Sequence, residues 1–250
     1  MEITNIETGR GPLLSLLHGN ERVAVFFPDE AMEGDTKEPM SQLAPPVIDY
    51  VGFVTRNWET YQPDLVPAQN DRMAGAVKAA VKSAQAALLS EKRNFEMADA
   101  RAREPGPLSD APWEAEYRAS IAALELPQRI AAVSEMTFSQ SSALIRQSSL
   151  DGLGLPPEVR ELVMHRHLVN GHIARTGLSA NYARRPTAAD PLATGVDSAA
   201  AFAAGEVALS AHKKRSDRLE LAADTLRSTV ALIALTTDQS ADAVWAGLTA

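Results

Sequence analysis

The feature that most constrains this chain is the apolar repeat between Asp71 and Arg103. Met73, Val77, Ala80, Val81, Ala84, Leu88, Phe95 and Ala98 recur mostly three or four residues apart. That is the spacing at which side chains stack along one face of an α-helix. Lys78, Lys82 and Arg93 lie largely off the stripe. The pattern predicts a single amphipathic helix of roughly 30 residues, ~45 Å long. So long an apolar stripe needs other helices against it, which sets the expectation for the remainder of the chain.

The same period recurs elsewhere. Pro45-Pro46 open a predicted helix near 46–61 whose apolar set is Val47, Val51, Val54 and Trp58. Glu104-Pro-Gly-Pro107 breaks the long helix, and Ser109-Asp110 is a good start for another near 110–126, with Trp113, Tyr117, Ile121 and Leu124 on one face. Further helices are predicted near 127–147, 157–176, 197–235 and 240–248. Asp151-Gly-Leu-Gly154 reads as a turn, and residues 177–196 as a long loop. Alanine is about one residue in six; it loses no side-chain entropy in a helix and lets helices pack closely. The hydroxyl-rich stretch 136–142 fits such close packing. The charged run from His212 to Arg218 reads either as a solvated stretch of helix or as a break between two helices.

The first 45 residues lack this period. Gly11-Pro12, the leucines at 13, 14, 16 and 17, and Gly19 suggest one or two helical turns with a glycine stop. Val23 to Phe27 is the best strand candidate. Glu30 to Pro46, with acids, glycine and three prolines, reads as a loop. The fold expected is mainly α, a multi-helix bundle over residues 46–250 with an irregular or β-containing N-terminal arm over 1–45.

Composition narrows the function. There is no cysteine, which excludes disulfides, thiolate-bound metals and a thiol nucleophile. The net charge of −8 sits in the first 125 residues, with 20 acidic against 12 basic side chains. Such a surface repels phosphate, so general coating of nucleic acid is not expected. The N-terminus lacks a signal-peptide pattern, and the apolar run Val230 to Leu235 falls far short of the ~20 residues of a membrane helix. The expected location is cytoplasmic, or within a particle assembled in the cytoplasm, with no membrane partner.

Three constellations bear on chemistry. "MHRHLVNGH" (164–172) holds three of the five histidines. At 100° per residue His165 and His172 share a side with Glu158 and Glu161, while His167 points elsewhere. Glu161, His165 and His172 are therefore the candidate metal ligands. Their spacing departs from the Glu-x-x-His of di-iron bundles, and Glu206 and His212 do not supply a matching pair, so neither a metal nor another cofactor is assigned. Residues 171–185 loosely match the second half of a helix-turn-helix, with Gly177 in the turn and Arg184 and Arg185 as the phosphate or base contacts, although Pro186 truncates the reading helix. A weaker match spans 234–244, with Asp238 in the glycine place. No serine has a matched base or a G-x-S-x-G turn, so no catalytic residue is assigned. The leading expectation is a non-enzymatic structural or interaction protein, a homo-oligomer or one subunit among others in a larger assembly such as a virus or phage particle, associating through alanine-rich helices and extended loops. A helix-turn-helix DNA-binding protein and a helical metalloenzyme are the alternatives.

Overall fold

A computed structural model describes residues 2–108, 110–146, 150 and 152–249. The helix start at Ser109, the end of the helix expected at Gln147 and the first turn residue Asp151 lie outside the described residues. The fold is mainly α with a small antiparallel sheet at the N-terminus, as the sequence predicts. The chain forms two compact units, Met1–Phe95 with Lys214–Ala250, and Glu96–Lys213. No helix among the described residues is long and apolar enough to cross a membrane.

The first unit opens with a three-stranded meander of β1 (Glu2–Thr8), β2 (Gly11–His18) and β3 (Glu21–Phe26). The strand over 21–26 agrees with the sequence reading; the helical turns expected over 11–18 do not form. Leucines at 13, 14, 16 and 17 satisfy a helical spacing and a strand spacing equally. Two-residue turns at 9–10 and 19–20 decide between them, since Thr8 pairs with Gly11 and His18 with Glu21. Gly19 takes φ +58° at the first turn position, a backbone geometry that suits the right-handed twist of the flanking strands. Leu14 and Leu16 then point into the core at 4 % and 2 % exposure, while Leu17 faces out.

After two 3-10 turns, Asp29–Met32 and Gly34–Thr36, comes α1 (Lys37–Thr60). It begins well before the double proline that was expected to open it, so residues 37–45 are helix and not loop. A proline inside a helix costs about 3 kcal/mol and deprives the carbonyl four residues earlier of its donor. Here those carbonyls belong to the exposed Ser41 and Gln42, where water can satisfy them. Against the cost stand Met40 and Leu43, fully buried on the same face as Val47, Tyr50, Val51 and Val54, each worth about 1.5–3 kcal/mol. Burial overrides local propensity.

The long stripe forms α3 (Gly75–Arg103) from Val77 onward; the stripe's first residue, Met73, ends a separate short α2 (Val66–Met73), so the single helix expected over 71–103 is divided at Ala74. Val77, Val81, Ala84 and Leu88 are its buried row. The C-terminal helices are α8 (Ser198–Thr237) and α9 (Ala241–Thr249). α8 continues through the charged run at 212–218 without a break. Its threonines enter the core because each hydroxyl donates to its own helix: Thr229 to the Thr225 carbonyl, Thr236 to Leu232 and Thr237 to Ile233.

The second unit adds α4 (Ala111–Ala123), α5 (Leu126–Ser134), α6 (Phe138–Ile145) and α7 (Pro157–Thr176). The single helix expected over 127–147 is two. Thr137 and Gln140 form a capping box that starts α6, a Thr-x-x-Gln signal legible in the sequence. The core of this unit gathers Ile121, Val133, Met136, Leu144, Val159 and Val163.

Candidate functional site

The histidine-rich helix α7 separates its three histidines by burial. His167 lies on the row of Val159 and Val163 and is fully buried. Its Nδ1 is 3.1 Å from Ser141 Oγ and its Nε2 is 3.1 Å from the Glu104 carbonyl. The carbonyl can only accept, so Nε2 carries the proton and Nδ1 is left as an acceptor, sharing the Ser141 hydroxyl with the Phe138 carbonyl 3.0 Å from Oγ. Burial is the largest influence on the ring and holds its pKa below the ordinary 6.5, which keeps it neutral. A serine beside a neutral histidine has the composition of a nucleophile and its base. Both side chains are fully buried, however, and both ring nitrogens are engaged, so no substrate can approach this pair.

The pair belongs to a polar cluster that fastens the proline-broken segment 104–107. Ser142 Oγ accepts from the Gly106 N–H at 2.9 Å, and Arg146 donates to the Gly106 carbonyl at 2.6 Å. Arg175 donates to the Glu104 carbonyl at 2.6 Å and lies over the Phe138 ring. Glu114, 3 % exposed, accepts from Arg146 at 3.0 Å with Arg118 3.7 Å away. The hydroxyls at 141 and 142 are thus hydrogen-bonding struts that hold the 104–107 segment and the His167 ring. The sequence signal was the serine pair itself, since serines in a core need partners.

His165 is half-exposed, with its Nε2 4.0 Å from Glu206 Oε1 and its ring edge against Phe202. Neither Glu161 nor His172 joins it, and among the described residues no three histidine, aspartate or glutamate side chains are placed to hold a metal. At Gly177, φ +66° ends α7. The next residues make only a 3-10 turn, Leu178–Asn181, followed by a bridge between Ala183 and Val196. Arg184 and Arg185 therefore sit on an exposed loop and not on a reading helix. In the C-terminal match, Asp238 does take the left-handed place, at φ +54° between α8 and α9.

The first unit presents a different kind of site, an open strand edge. Among the described residues β1 pairs with β2 on one side only, in an unbroken register from Glu2 opposite Leu17 to Thr8 opposite Gly11. The Phe27 N–H donates to the Pro12 carbonyl, so the even residues of β2 turn their backbone toward β3 and the odd ones toward β1. It follows that Thr4 and Ile6 bond inward, while Ile3, Asn5 and Glu7 direct N–H and C=O outward. Proteins usually blunt such an edge with charged side chains, lysine above all, with proline or with a bulge; the sequence EITNIET has no lysine or proline, its only charges are Glu2 and Glu7 near the two ends, and its register has no bulge. Ile6 is 42 % exposed. Sequence reasoning missed this edge because β1 has no clean alternation of apolar and polar residues.

No protein-family model, curated protein or solved structure matches this chain.

Proposed function

We propose that this chain is a non-enzymatic interaction protein that assembles with further copies of itself, β1 of one copy adding to β1 of the next. The observation that carries this reading is the unblocked outer edge of β1. An antiparallel pair about a two-fold axis at Asn5 brings Asn5 opposite Asn5 and Ile3 opposite Glu7. All three outward-facing residues then bond, giving six backbone hydrogen bonds and a continuous six-stranded sheet. No like charges are opposed, because Glu2 meets Thr8 and Glu7 meets Ile3. At about 1 kcal/mol each, backbone bonds alone do not offset the freedom lost on association. The exposed Ile6 side chains, diagonal neighbours in this register, add apolar area to the joint.

Size-exclusion chromatography with light scattering tests the proposal. The wild-type chain is expected to run as a concentration-dependent dimer or larger species. Asn5→Pro, which removes a bonding N–H at the centre of the joint, is expected to give a monomer with an unchanged helical circular-dichroism spectrum. A wild-type monomer at every accessible concentration overturns the reading, as does an Asn5→Pro variant that still associates.

A further inference from the structure

The charged run of α8, which the sequence leaves without a role, borders a cleft in the first unit whose charges find no partner among the described residues. The cleft has a volume of about 420 Å³, within the roughly 300–1,000 Å³ of small-molecule sites. Three cationic side chains line it, Arg10, Lys214 and Arg218, together with three anionic ones, Glu30, Glu33 and Asp217. Among the described residues none of these six makes a side-chain hydrogen bond or an ion pair. One residue away the situation differs: Arg215 lies 2.8 Å from Asp35 Oδ2, off the N–H axis, and 2.8 Å from Glu91 Oε2. In the cleft, by contrast, Arg10, Glu30, Glu33, Lys214 and Asp217 are exposed to solvent and Arg218 is half-buried, so water meets these charges in place of one another.

Arg218 is the best-defined of the six. Its Nε is shut off from solvent and lacks a hydrogen-bond partner among the described residues, which leaves the outer guanidinium nitrogens as the donors for an incoming acceptor. The guanidinium rests on the backbone of Gly34, where a Cβ would stand 2.9 Å from Nη2 and 3.1 Å from Cζ. Gly34 also takes φ +56°, so glycine serves both the turn and the close approach. The planar fork is thus positioned by contact while its donors stay uncommitted. Such a fork matches a carboxylate in bidentate fashion.

The geometry points to a binding site for a free α-amino acid, its carboxylate on Arg218 and its ammonium toward Glu30, Glu33 and Asp217. A simple anion would meet three carboxylates and a simple cation three positive charges. A zwitterion answers both sets at once. Phe26, Pro28 and Leu221 supply an apolar wall for an aliphatic side chain such as that of leucine.

Calorimetric titration of the full chain separates the sources of binding. Free amino acids are the probes, with leucine compared against N-acetyl-leucine, which keeps only the anion, and leucinamide, which keeps only the cation. Saturable binding is expected for leucine, weakened about tenfold or more in either analogue and in Arg218→Gln. Arg218→Lys keeps the charge but loses the fork, and is expected to weaken binding in the same direction. Gly34→Ala, which displaces the guanidinium, should do likewise, with each variant's melting curve recorded as a check on folding. Amide shifts in nuclear magnetic resonance spectra should concentrate at residues 26–34 and 214–221. The site is overturned if no free amino acid binds, if N-acetyl-leucine or leucinamide binds as tightly as leucine, or if both Arg218 variants bind as the wild type does.

Discussion

Ser141 Oγ lies 3.1 Å from His167 Nδ1, and neither side chain is exposed. The ring gives its one proton to the Glu104 carbonyl, and its Nδ1 shares the serine hydroxyl with the Phe138 carbonyl, so this buried pair works only with a neutral imidazole.

Stability should therefore depend on pH through His167. Burial lowers its folded pKa from the ordinary 6.5, so below 6.5 the unfolded chain binds a proton more readily than the folded one. The contribution is fully present above about pH 6.5 and is lost as pH falls through the folded value. Urea unfolding at pH 7.5 and 5.5 is expected to show lower stability at the acid pH, with the His167 part of that difference absent in His167→Gln. An identical pH difference in that variant would contradict the account.

Glu114→Gln is expected to destabilise the second unit by about 2 kcal/mol. The carboxylate is 3 % exposed and faces both Arg146 and Arg118. Removing its charge leaves two partly buried guanidinium groups without their counterion. Since Arg146 also holds the Gly106 carbonyl, hydrogen exchange should accelerate around residues 104–107 before the rest of the unit.

Asp238→Gly is expected to raise stability by a few tenths to about 1 kcal/mol, and Asp238→Ala to lower it. Asp238 holds φ +54°, a left-handed conformation that glycine adopts without a steric penalty and alanine does not. The Gln239 N–H closes the end of α8 on the Ala234 carbonyl at 3.0 Å, as in helix ends that favour glycine. Thermal melts of the three proteins should rank Gly, Asp, Ala from most to least stable.

What was legible in the sequence follows from local, periodic signals. The stripe through Val77, Val81, Ala84 and Leu88 fixed a long helix, and α7 runs over the predicted residues because Pro157 and Gly177 mark both ends. Even Asp238 stood out as occupying a glycine's place. Helical geometry also separated His167 from His165 and His172, although it could not say that His167 faced the core.

Where two local patterns tie, or where a residue's worth depends on something distant in sequence, only the tertiary structure decided. The leucines of β2 suit helix and strand alike until the hairpin partners are present. Pro45 and Pro46 sit inside α1 because Met40, Leu43 and Val47 are buried together, a gain no local rule can see. The outward edge of β1 exists because β2 pairs with one side and, among the described residues, no strand pairs with the other. Arg218 and Glu33 are brought to one cleft from positions far apart in the chain. Periodicity reports what each segment prefers by itself; burial, pairing and the meeting of charges are properties of the folded whole.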